Sequence, residues 1–68
     1  MITPGTLLIN KDDPTTWWLL VSYNVVKDCV TDVAWFNVTD GHVVNLARIS
    51  ASSLTRLALG QRYTIIEP

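Results

Sequence analysis

Cys29 and His42 are the only thiol and the only imidazole in the chain, so they are the one pair with which a positioned base could activate a nucleophile. Nothing in their spacing or surroundings forms a recognisable catalytic motif. The plainer reading is a loop or half-buried thiol and a strand-end imidazole beside a turn. A structural zinc site takes four Cys or His ligands, and a calcium loop takes denser carboxylates than Asp28, Asp32 and Asp40 supply. Gly5, Gly41 and Gly60 lie alone, which is not the pattern of a phosphate-cradling loop. Asp12 and Asp13 are adjacent and suit either a cation, a basic peptide or simply a solvated loop. Asn37-Val38-Thr39 matches a glycosylation acceptor, a match without consequence in the absence of a secretory signal. The expectation is a non-enzymatic chain with no cofactor and no metal.

The aromatic residues carry more information. Trp17 and Trp18 are neighbours, and on a strand neighbours point to opposite faces. Trp35 and Phe36 repeat the arrangement. Two doublets therefore put at least two large rings outside a single core, where they either pack beneath loops or form an interaction surface. Trp and Tyr are enriched where binding energy concentrates. Trp17 or Trp18, Trp35 or Phe36, and Tyr63 are thus candidate partner-binding residues, with Arg48 and Arg62 as candidates to orient a partner from the rim.

Composition bears on what such a surface would bind. The chain has 68 residues, 49 % of them hydrophobic and 16 % charged. An average soluble domain carries roughly 25 % charge, and disordered segments show the opposite balance of few apolar and many charged groups. One domain is expected. A domain this small leaves much of its surface uncovered, and so few charges leave apolar groups wet. That predicts contact with another protein chain, either copies of itself in a symmetric oligomer or a larger partner. Five Lys and Arg stand against six Asp and Glu, and Lys11, Lys27, Arg48, Arg56 and Arg62 are scattered. Nucleic acid ranks lower as a partner on that count, because phosphate binding draws on a basic patch. No apolar run reaches the roughly 18 residues of a membrane helix, and no basic region precedes the first apolar stretch. A single cysteine cannot form an internal disulfide, which fits a reducing, cytoplasmic setting.

These residues must be positioned by short elements. Gly5–Asn10 is β-prone and entered through Pro4-Gly5, and Lys11–Thr16 is a polar, Pro-containing loop. Trp17–Val26 alternates with period two, its odd positions Trp17, Leu19, Val21, Tyr23 and Val25 all apolar. This predicts a long strand with that face buried, in preference to a helix. Lys27–Asp32 reads as a polar connection. Val33–Thr39 and His42–Ile49 flank Asp40-Gly41, a two-residue hairpin signal that sets Thr39 against His42, Trp35 against Leu46 and Val33 against Arg48. Ser50, Ser52 or Ser53 caps a helical turn carrying Leu54, Leu57 and Ala58, stopped by Gly60. Gln61–Glu67 closes the chain as a last strand.

Strand, polar loop, long strand, strand, tight hairpin, strand, one helical turn, strand: this order resembles an SH3-like small β-barrel along nearly the whole chain. The resemblance implies an all-β fold of five strands with a short 3₁₀ or α turn before the last one. It implies nothing about ligand, since the acidic first-loop motif and the Pro-x-x-Tyr residues of peptide-binding SH3 domains are missing. An OB-type barrel is the competing arrangement, but its helix sits where this sequence has Asp40-Gly41. A small, weakly charged domain of this kind also resembles accessory proteins of phages and mobile elements. Three functional classes follow: a protein-interaction module, a small-barrel nucleic-acid binder of transcription or translation, and an enzyme assembled at an oligomer's pore with His42 and the tyrosines.

Overall fold

β-Branched and aromatic residues dominate three of the five strands, and polar or glycine-containing turns separate most of them. In the computed structural model, which describes Met1–Pro68, these are β1 (Leu7–Asn10), β2 (Trp17–Val26), β3 (Cys29–Asn37), β4 (His42–Ser50) and β5 (Tyr63–Ile66). A 3₁₀ turn (Ala51–Leu54) and a single α-helical turn, α1 (Arg56–Leu59), come before β5. All pairings are antiparallel, in one sheet of order β4-β3-β2-β1-β5. The fold is all-β. The outermost strands β4 and β5 share no ladder. No helix is long and apolar enough to cross a membrane.

Three local expectations are corrected. Lys27–Asp32 is not one connection: β3 begins at Cys29, and Lys27-Asp28 alone form the β2–β3 turn, with Lys27 at φ +56°. The second hairpin pairs Asn37 with His42, Trp35 with Val44 and Val33 with Leu46, two residues away from the register set by an Asp40-Gly41 turn. That turn needs positive φ at both central residues. Gly41 adopts it (φ +75°) and Asp40 does not. Instead the buried Asn37 organises a four-residue loop, accepting from the Asp40 amide through Oδ1 (3.0 Å) and from the Gly41 amide through its carbonyl (2.7 Å). A slip of two keeps every side chain on its expected face, because faces alternate with period two. Finally, Thr55, not a serine, caps α1 by accepting from the Ala58 amide at 3.3 Å.

The odd-numbered face of β2 is not a buried face. Leu20 is fully buried, whereas Trp17 and Val21 are 40 % and 47 % exposed. Beyond Leu20 the alternation inverts, and the next core-packed residue is Tyr23. The ladder explains this inversion. Leu20 pairs with Trp35, Ser22 with Ala34 and Asn24 with Thr31, so β2 carries one extra residue and then β3 carries one. Such bulges bend a strand and increase its twist. Asp32 sits in the second bulge at φ +54°, a conformation Asp tolerates better than most residues, and its carboxylate accepts from Asn24 Nδ2 at 3.3 Å. The core residues Val30 and Val33 show the same step of three on β3. On β4, Leu46 and Ile49 repeat it on one wall. A crease therefore crosses three strands.

The core lies inside that crease. Ile2, Leu20, Val30, Val33 and Leu54 form one buried cluster, with Tyr23, Trp35, Ile49 and Ile65 packed around it. Ile2 precedes every strand, yet its amide donates to the Leu54 carbonyl (3.0 Å) and its carbonyl accepts from the Tyr23 hydroxyl (3.0 Å). Only eight residues are buried. The remaining apolar groups must therefore lie on surfaces.

Candidate interaction surfaces

Two apolar surfaces result, one on each side of the sheet. Across the inner side runs the paired row Ile65, Leu8, Trp18, Asn37, His42, and behind it Leu20, Trp35, Val44. Their side chains do not fill the space they enclose. An apolar groove of about 350 Å³ remains, walled by Trp18 and Trp35, by Val44, Leu46 and Ile49 of β4, and by Leu59 and Tyr63. Ser53 is the one polar residue of its wall. Trp18 meets the His42 ring edge-on, centroids 6.1 Å apart, at the groove's end. Residues of both edge strands, β4 and β5, face this groove, so the sheet curls until its two edges flank one opening.

The outer side carries a second array. Ile66, Leu7, Leu19, Phe36 and Val43 pair in sequence across all five strands, making a transverse apolar row. Its ends are open, with Ile66 47 % and Val43 55 % exposed, while its middle is half-buried. Trp17 lies two residue pairs along, opposite Ile9, and its indole N–H donates to the Pro14 carbonyl at 2.7 Å. The ring is thereby held against the preceding loop while much of it stays wet.

The five aromatic candidates thus divide. Trp18, Trp35 and Tyr63 converge on the groove; Trp17 and Phe36 lie on the outer side. Neither Arg48 nor Arg62 lines the groove. Arg48 is exposed on β4 and donates from Nη2 to Cys29 Sγ at 3.1 Å, and Arg62 is exposed in the turn after α1. Sequence reasoning missed Leu46 and Val44 as wall residues, although their alternation on a strand after a turn signalled one shared face.

The basic residues fall into two groups: Lys11 and Arg56 line one open hollow beside α1, with Arg62 bonded to Lys11 through the backbone, while Arg48 and Lys27 lie toward the β2–β3 turn. Lys11 Nζ donates to the Gly60 carbonyl (2.6 Å) at the end of α1, where it acts as a clasp, and Arg56 pairs with Glu67 (2.8 Å). Lys27 sits at the β2–β3 turn, away from both. Asp13 is likewise occupied locally: hydrogen bonds from the Thr15 hydroxyl, the Thr16 hydroxyl and the Thr15 amide hold its carboxyl below the usual aspartate range. Cys29 and His42 begin β3 and β4 respectively, at opposite ends of one hairpin. Cys29 pairs with Ser50 and His42 with Asn37, at the two ends of the β3–β4 ladder, so the thiol and the imidazole are not brought together. Against models of known families, against characterised proteins and against solved structures, the chain shows no match.

Proposed function

We propose that this chain is an SH3-like barrel acting without catalysis as a protein-interaction module, either self-associating or docking on a larger partner. The element order supports the barrel, as does the way β4 and β5 flank a common groove. One observation carries the functional reading: three of the five candidate aromatic rings converge on an apolar groove that the chain itself leaves unfilled. An apolar concavity with few polar groups suits hydrophobic side chains of a partner, and indole walls supply contact area at low entropic cost. The single free thiol, Cys29, fits a reducing, cytoplasmic setting. A phage or mobile-element origin stays part of this proposal through overall character alone.

Light scattering over a dilution series, at low and high salt, tests the reading. Association that salt barely weakens, and that Trp35→Ala reduces with the β-sheet circular dichroism intact, is the expected result. A chain that instead stays monomeric and binds a single-stranded oligonucleotide with affinity falling steeply with salt overturns it.

A further inference from the structure

The two edges of the sheet are unequal. β5 has four residues and runs directly into Glu67 and Pro68, with Glu67 tied to Arg56. β4 has nine residues, hydrogen-bonds to β3 on one side only, and leaves seven of the nine exposed. Natural proteins blunt long edges with proline, lysine, inward charges or a covering element. β4 carries no proline and no lysine, and no strand covers its outer edge. Its one charged side chain is Arg48, engaged with Cys29, and Val43 and Leu46 stay 55 % and 39 % exposed. Apolar groups flank the free edge on both sides of the sheet. An added strand would find hydrogen-bond partners along its length and hydrocarbon above and below.

Resting on the interaction-module reading and deepening it, we infer that the occupant is a second copy of this chain, its β4 pairing antiparallel with β4 about a twofold axis at Leu46. Three observations select this occupant. A β4–β4 ladder engages up to nine residues, whereas head-to-tail pairing of β4 with β5 is limited to four. Centred on residue 46, the midpoint of His42–Ser50, each Arg48 faces the second copy's Val44 and each His42 faces its Ser50, so no like charges oppose one another. The chain as a whole carries a net charge of −1, too little to keep copies apart. The symmetric ladder also sets the second copy's Leu46 beside the groove wall that Val44 and Leu46 form, continuing the apolar surface.

Sedimentation velocity over a dilution series, combined with cysteine cross-linking, tests the pairing. The native chain is expected to pass from monomer to dimer and stop there. Leu46→Lys sets two ammonium groups at the axis and is expected to leave monomer throughout, with unchanged circular dichroism. Because residue 46 is already partly exposed, the variant keeps its fold; Asn45→Lys, beside the axis on the same edge, gives an independent second disruption. Cys29→Ser/Leu46→Cys is expected to form a disulfide-linked dimer under mild oxidation. Cys29→Ser/Val43→Cys is expected to form none, since the two copies of residue 43 lie about 20 Å apart in this register. A native chain that is monomeric at every concentration overturns the β4 pairing while leaving docking on a foreign partner intact. A dimer that survives Leu46→Lys and does not cross-link through residue 46 also overturns it, and puts self-association on the groove or the outer row. Rings or filaments overturn it in favour of β4–β5 contacts. The salt-steep oligonucleotide binding described above is the separate result that removes the underlying reading.

Discussion

The two ends of this sheet are finished differently. Around β1, β5 and α1 the chain is clasped: Lys11 to the Gly60 carbonyl, Arg56 to Glu67, and Asp13 to two threonines. The β3–β4 hairpin is tied at its tip by Asn37 and Thr39 and further back by Arg48 on Cys29, but the outer edge of β4 is open and largely apolar. None of these contacts covers the outer edge of β4. The uncovered end is then the end available for contact.

Several substitutions break or sharpen that contrast. The largest effect belongs to neither end but to the cluster between them. Leu20→Ala is expected to cost about 2–5 kcal/mol, read from urea unfolding, because a fully buried isobutyl group leaves a cavity. Beside that cluster, Tyr23→Phe leaves the Ile2 carbonyl without its donor and should cost about 1–3 kcal/mol in the same measurement. At the open end, Gly41→Ala must hold φ +75° with a Cβ and should cost about 1–2 kcal/mol, although nothing lies near enough to clash. Val43→Thr on the free edge should shift stability by no more than about 0.5 kcal/mol while weakening self-association, which separates the two properties in one variant. The smallest effect is at Asp13. Its carboxyl is held below its ordinary value of 3.8, so the stability it lends is present above that pH and fades as pH falls through the lowered value. The protection factors of the Thr15 and Thr16 amides, with the intrinsic pH dependence of exchange divided out, should therefore stay flat down to that range and fall below it. In Asp13→Ala that step should vanish.

The strand order and the turn before β5 were legible because period-two runs and turn residues signal them locally. The loop at Val38–Gly41 was less so: Asp40-Gly41 states a local preference, and the Asn37 side chain overrules it by capping the loop one step earlier. The misreading of β2 is more instructive. Its odd positions are apolar from Trp17 to Val25, but that run spans two stretches of opposite orientation, joined where β2 and β3 each carry an extra residue. Bulges leave no pattern in a single strand's hydropathy. Ile2 was illegible for a related reason, since its burial depends on Leu54 and Tyr23 far along the chain. For the candidate surface, the doublets Trp17-Trp18 and Trp35-Phe36 announced that rings would stand on opposite sides. They did not announce that Trp18, Trp35 and Tyr63 would share one groove, which depends on how the sheet curls.

The crease through β2, β3 and β4 leaves a signature that needs no coordinates to detect. In a complete substitution scan of the gene, sites along β2 that accept polar replacements would fall at 17, 19 and 21, then resume at 22 and 24. Such a jump in phase, rather than any single sensitive site, is how a folded-over ribbon differs from a flat one in the record of its tolerated mutations.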